Sequence, residues 1–187
     1  MNQEPDTTPR PLWVFGYGSL IWNPGFPVAE QRLATLGGYA RSFCMSSIHH
    51  RGTVENPGLV LALDPHEGGS CHGVAFRVPD ADADPTVSYL RERELISSAY
   101  VERVHNITLL DGEDVMALVY VIDTDHVQYV RDLSLEDQAQ IISTAVGGRG
   151  PNTEYLWNTV THLQELGIED ADLAWLDARV RELTTNA

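Results

Sequence analysis

The stretch that decides the fold is "LWVFGYGSLIW", Leu12 to Trp22. It has the apolar content of a buried strand, yet Gly16, Tyr17, Gly18 and Ser19 interrupt it. Glycine within a strand marks a bend or a close approach to the main chain. The pattern therefore predicts a strand that leaves its sheet at Gly16 and turns peptide N–H groups outward. Such a turn either cradles an anion in a nest of amides, with the Ser19 hydroxyl beside it, or is a plain tight turn. The spacing is not G-x-G-x-x-G and no G-K-[ST] follows, which argues against a nucleotide phosphate loop.

Outward from this stretch, "RLATLGGYARSFCMSS" (32–47), "GLVLALD" (58–64), "SCHGVAFRVP" (70–79), "YVERVHNITLLD" (100–111) and "DVMALVYVID" (114–123) read as strands. Their β-branched and alternating apolar residues are punctuated by Gly, Pro and Asp. One helix interrupts them, "DADPTVSYLRERELI" (82–96), with Asp84 as its cap and Pro85 at its first position. Beyond Asp125 three more helices are expected. "SLEDQAQIISTAV" (134–146) opens on a capping box of Ser134 and Asp137, "NTEYLWNTVTHLQELG" (152–167) is capped by Asn152 and stopped by Gly167, and "ADLAWLDARVRELT" (171–184) follows. Strands followed by a helical last third define an α+β class rather than alternating βαβ units. The length of 187 residues suits one domain over 12–187, preceded by a flexible polar tail over 1–11, "MNQEPDTTPRP".

Lys and Arg total 12 against 27 Asp and Glu, a formal charge of −15. That field opposes nucleic acid and anionic membrane surfaces, so a small molecule is the expected partner. No apolar run reaches the length of a spanning helix and the first residues do not form a secretory signal, which predicts a cytoplasmic protein. Cys44 and Cys71 have no CxxC spacing and read as reduced thiols. Cys44, His49, His50, Cys71 and His72 show none of the usual ligand spacings, so no metal is expected.

Helix phase selects one carboxylate. Val87, Leu90 and Glu94 are three and four residues apart and share a face, while Glu92 points away and Arg93 is assigned with it to the solvated face. A carboxylate on the buried stripe is costly unless paired or neutral, and desolvation raises its pKa toward the range of proton transfer. Glu94 is thus either a general acid/base or an ion-pair brace with Arg91 or another arginine. Arg51 in "HHRG" (49–52) is either a carboxylate clamp or part of a turn. Arg149 in "GGRGPN" (147–152) either assists anion binding at a helix start or lies in an interhelical loop. Tyr17, Tyr100 and Tyr155 offer hydroxyls to a ligand or serve the core. Ser19 has no His/Asp pairing and no G-x-S-x-G elbow, so no serine nucleophile is expected.

Four blocks, "WVFGYGSLIWNPGF" (13–26), "HHRGTVENPGLVLALDPHEGGSCHGVAFRV" (49–78), "YLRERELISSAYVE" (89–102) and "GPNTEYL" (150–156), together resemble the ChaC family of γ-glutamylcyclotransferases over nearly the whole chain after Leu12. The resemblance implies a γ-glutamylcyclotransferase-like fold, a small mixed barrel flanked by helices. It implies a cofactor-free cytoplasmic lyase that cleaves glutathione into 5-oxoproline and cysteinylglycine. Glu94 would carry the proton. Gly16, Tyr17, Gly18, Ser19, Leu20 and Ile21 would hold the γ-glutamyl moiety, with Arg51, Tyr100 and Tyr155 as further substrate contacts. Cyclisation of other γ-glutamyl amino acids or amines remains an alternative, as does an anion-binding regulatory module in which Glu94 is structural.

Overall fold

Four residues of the opening run, Trp13–Gly16, form β1, and the chain leaves the sheet at Tyr17 as its sequence predicts. After Gly18 it makes one turn of helix, α1, Ser19–Trp22. The structure is a computed structural model and describes residues 8–187; the first seven residues of the expected tail lie outside the described residues. Within the remainder of that segment, the Arg10 guanidinium pairs with the Asp84 carboxylate.

Strands β2 (Glu30–Ser47) and β3 (Gly58–Arg77) form a long antiparallel pair. The sequence separates "GLVLALD" from "SCHGVAFRVP", whereas the structure runs both in β3, opposite a continuous β2. The exposed residues His66, Glu67 and Gly68 fall in a register shift opposite Gly37 and Tyr39, with Gly38 and Gly68 at φ +82 and +75. A bulge of this kind inserts polar residues without ending the pairing. β4 (Tyr100–Leu109) and β5 (Asp114–Ile122) complete the sheet, and β1 closes it by pairing antiparallel to β3 and parallel to β5. The result is a closed barrel in the order β1-β3-β2-β4-β5, the small mixed barrel that the resemblance implies.

Alternation along β1 divides its side chains between two cores. Trp13 and Phe15 join the cluster that includes Ile142, Leu156, Leu163 and Leu176 of the C-terminal helices. Val14 joins Ala83, Val87 and Leu90 of α2 (Ala83–Glu94). Period-two side chains thus let one short strand serve both layers. The C-terminal elements are α3 (Leu135–Thr144), a small hairpin of β6 (Val146–Gly147) and β7 (Gly150–Pro151), α4 (Asn152–Glu165) and α5 (Ala171–Thr185). Ser134 caps α3 by accepting the Asp137 N–H at 3.0 Å, and Gly167 follows α4 at φ +71, both as expected.

Two caps differ from expectation. α2 starts at Ala83, with Asp84 in its first turn and Pro85 third, and among the described residues no side chain caps it. A 3₁₀ turn at Asp80–Asp82 leads straight into α2, and its Asp80 carbonyl accepts the Ala83 N–H. Asn152 is the fully buried first residue of α4 rather than its cap. Its amide accepts the Leu59 N–H and donates to the Leu59 carbonyl, each at 2.8 Å, in the manner of a neighbouring strand. Tertiary demand for those buried peptide groups outweighs the local capping preference. Among the described residues no helix is long and apolar enough to cross a membrane.

Candidate active site

Helix α2 delivers Glu94 as its last residue. Val87 and Leu90 are buried on the same face, and the Glu94 side chain is only 14% exposed. Glu92 is exposed, as phase requires. The carboxyl lines a hollow of about 30 Å³ together with Tyr17, Gly18, Ser19, Leu20, Leu61, Tyr100, Tyr120 and Tyr155. Burial pushes its pKa above the ordinary carboxylate value, and the positive charges of Arg93 and Arg149 oppose that rise only in part.

The turn facing Glu94 has spare donors. The Ile21 N–H is used by the Gly18 carbonyl at 2.9 Å, whereas those of Ser19 and Leu20 stand in the first turn of α1 and have no intrahelical acceptor. Gly18 keeps this surface open: a Cβ there would lie 3.3 Å from the Tyr155 hydroxyl.

Hydroxyl groups wall the hollow and are themselves held. Tyr17 donates to the Tyr120 carbonyl and Tyr100 to the Leu61 carbonyl, both at 2.8 Å, while Tyr155 accepts the Leu61 N–H at 3.1 Å. Burial raises the pKa of all three phenols, and the nearby Glu94 charge adds to the rise, so they stay neutral donors near neutral pH. Tyr120 links the site to the back of α2, donating to Glu102 at 2.9 Å, which pairs with Arg91 at 2.9 Å. Arg91 therefore serves Glu102, and the ion-pair partner of Glu94 is Arg93, 3.3 Å away.

Gly16, Ile21 and Arg51 do not line this hollow. Gly16 ends β1 opposite Val74, and a Cβ there would come within 2.9 Å of the Phe76 ring. Ile21 is partly buried and packs on both cores. Arg51 donates to the Pro151 carbonyl at 3.1 Å and lies 5.8 Å from the Tyr155 ring centroid, behind that residue. The hairpin carrying Arg149 is not a loose loop: the N–H groups of Gly148 and Arg149 donate to the carbonyls of His49 and His50 at 2.7 and 2.9 Å.

Three participants escape sequence reasoning. Tyr120 sits in an alternating strand like any core residue, and Leu61 contributes main-chain groups that no side-chain pattern reveals. Arg93 corrects the assignment to a solvated face, since its side chain is 14% exposed and spans from Glu94 to the turn. The helix ends one residue later, and neighbouring segments cover a side chain that helix phase would leave in water.

Both cysteines are free and buried, with the Cys44 thiol pushed up to about 12 by desolvation. Among the described residues no group of three or more His, Cys, Asp or Glu side chains is placed to hold a metal ion.

A nearly dry carboxyl with a raised pKa, lining one hollow with the first turn of α1 and a wall of phenols, is equipped to pass protons beside a bound polar molecule. The chain belongs to the ChaC-like protein family, whose model matches residues 12–183. It is 38% identical over 173 residues to the glutathione-specific γ-glutamylcyclotransferase of Escherichia coli K12, covering 92% of this chain and 74% of that protein. It is 36% identical over 190 residues to the protein of the same name from Schizosaccharomyces pombe, covering 91% and 93%. The crystal structure of a yeast γ-glutamyl cyclotransferase specific to glutathione superposes with a TM-score of 0.85 over 94% of this chain and 98% of that one, at 24% identity, which establishes the common fold.

Proposed function

We propose that this chain is a cytoplasmic lyase that degrades glutathione to 5-oxoproline and cysteinylglycine, with residues 12–187 acting as one γ-glutamylcyclotransferase domain. The observation that carries this reading is the Glu94 carboxyl, 14% exposed, lining the same hollow as the Gly18–Leu20 turn. The names borne by the E. coli and S. pombe relatives support the choice of substrate.

The chemistry needs no enzyme nucleophile. The substrate's α-amino nitrogen attacks its own γ-amide carbon, closing a five-membered lactam, and the bond from that carbon to the cysteinyl nitrogen breaks. The substrate's α-ammonium, which stands beside its free α-carboxylate, must first give up a proton and become an amine. Ring closure then releases one proton from the attacking nitrogen, and the departing nitrogen takes up one. A single carboxyl can relay both transfers, and Glu94 with its raised pKa is suited to that exchange. The N–H groups of Ser19 and Leu20 and the hydroxyls of Tyr17, Tyr100 and Tyr155 hold the γ-glutamyl end. Gly16 and Ile21 set the shape of the turn, and Arg51 acts through the ring of Tyr155. Holding a flexible chain in its ring-closing geometry draws on the ~7–11 kcal/mol available from orientation.

The deciding experiment incubates the purified protein with glutathione and follows 5-oxoproline and cysteinylglycine. Both should appear in equal amounts, and Glu94→Gln should bind glutathione but lower turnover by ~10²-fold or more. An inert parent, or a fully active Glu94→Gln, refutes the assignment. Faster cyclisation of γ-glutamyl-alanine than of glutathione would move the substrate to other γ-glutamyl compounds.

A further inference from the structure

We propose that Arg93 is the positioning residue of this site, a rigid spacer that ties the Glu94 carboxyl to the glycine turn and fixes the gap between them. The proposal rests on the cyclotransferase reading above and adds a role for a side chain outside the reacting atoms.

Its three nitrogens are distributed over both halves of the site. Nε lies 3.3 Å from Glu94 Oε1, at the end of α2. Nη2 donates to Ser19 Oγ at 3.2 Å, at the first residue of α1. Nη1 donates to the carbonyls of Asn23 at 2.5 Å and Pro24 at 3.1 Å, just beyond the last residue of α1, and reaches the Tyr89 hydroxyl at 3.2 Å. One planar group thus brackets α1 at both ends while gripping the acid. Among the described residues Glu94 has no other hydrogen-bond or ion-pair partner. The turn and the carboxyl belong to segments more than 70 residues apart in sequence, |i−j| being 74 for Ser19 and Arg93. A lysine carries the charge but not the fork, and cannot span these acceptors in fixed directions.

Charge adds a second, separable effect. The groups facing the Glu94 carboxyl are Arg93 on α2, Arg149 on the β6–β7 hairpin, and the neutral phenols of Tyr17, Tyr100, Tyr120 and Tyr155 from the end of β1, from β4, β5 and α4. Both arginines pull the carboxyl down against desolvation. Removing Arg93 therefore raises its pKa, and the acid limb of kcat/KM moves to higher pH.

The test compares Arg93→Lys and Arg93→Met with the parent, measuring kcat, KM and the pH profile, and in parallel titrates the Glu94 carboxyl by carbon NMR. Arg93→Lys should retain the acid limb and lose about 100-fold in kcat, the scale of a 1 Å misplacement, with KM little changed. Arg93→Met should lose at least as much kcat and shift the acid limb and the NMR midpoint upward by about one unit or more. Parental kcat in Arg93→Lys overturns the spacer role whether or not Arg93→Met folds. Should the parent release no 5-oxoproline, the cyclotransferase reading fails by itself. The NMR arm then still judges Arg93, because a Glu94 midpoint unchanged in Arg93→Met would refute the link.

Discussion

Arg41 Nε donates a 2.8 Å hydrogen bond to the carbonyl oxygen of Tyr17, so a buried guanidinium on β2 anchors the turn that faces Glu94. The same group bonds the His72 carbonyl and pairs with Asp170 at 3.1 Å, and Asp170 in turn caps α5 by accepting the Leu173 N–H. Turn, strand and C-terminal helix share one charge. Its side chain is 4% exposed and that of Asp170 17%, so Arg41→Met strands a nearly dry carboxylate. Breaking such a pair costs roughly 3–5 kcal/mol. At about 2–4 °C per kcal/mol for a chain of this size, thermal denaturation should show a fall of about 10 °C, accompanied by a lower kcat/KM. A fall below about 2 °C would contradict the anchor.

Glu94→Gln should change stability as well as turnover, with a defined pH dependence. Burial holds the folded carboxyl above its unfolded value of about 4.3, so in the parent the unfolded chain gives up its proton first. Stability is fully present below the unfolded value and is lost as pH rises through the folded one. Glutamine does not titrate. The melting temperature of Glu94→Gln minus that of the parent should therefore grow from about pH 4 toward neutrality, the window opened by the raised carboxyl. Paired thermal scans across that range check the sign; a difference that shrinks with pH contradicts it.

Gly18 and Gly73 should respond differently to alanine. At Gly18 the added methyl group would stand 3.3 Å from the Tyr155 hydroxyl and 3.7 Å from Leu61 Cβ, inside the hollow. Gly18→Ala should lower kcat/KM by tenfold or more in a protein that still folds, with tenfold being about 1.4 kcal/mol of transition-state binding. At Gly73 the methyl would meet the Gly16 carbonyl oxygen at 2.4 Å, across the β1–β3 pair. Main chain cannot yield as a flexible side chain can. Gly73→Ala should cost roughly 1–3 kcal/mol of stability, read from denaturant midpoints.

Tyr155→Phe separates the structural share of that hydroxyl from its catalytic share. The Leu61 N–H that it accepts is buried, and an orphaned buried donor costs about 1–3 kcal/mol. Urea unfolding should show a loss of that size. Tyr100→Phe leaves the Leu61 carbonyl without its 2.8 Å donor and should cost less, since carbonyls tolerate under-satisfaction better than N–H groups. Equal stability in Tyr155→Phe and the parent would place the hydroxyl outside the framework.

What could be read from the chain depended on whether the cause was local. Leu90 and Glu94 share a face because helix geometry alone puts them there, and the break after Gly16 was visible as glycine inside an apolar run. Arg93 departs from the solvated face that helix phase gives it because its partners, Ser19, Asn23 and Pro24, come from a segment whose passage over the end of α2 no periodicity records. Asn152 looked like a cap for the same reason, as nothing near it in sequence announces that the Leu59 peptide lies alongside. Arg51 was legible as a cation near the site but not as one committed to the Pro151 carbonyl. The β3 bulge hid a single long strand behind polar residues that resemble a turn.

The parallel seam between β1 and β5 has a temporal consequence. Trp13 and Val14 find their partners Ala117 and Leu118 only after more than a hundred further residues have been made, and Tyr17 waits equally long for the Tyr120 carbonyl. During synthesis the first turn therefore emerges with Arg41 and β3 available to hold it but without the β5 side of the barrel, and the hollow it shares with Glu94 is complete only once Tyr155 of α4 has followed. Under the proposed function, turnover should accordingly be a late reporter of maturation, absent from nascent chains shorter than the fifth barrel strand.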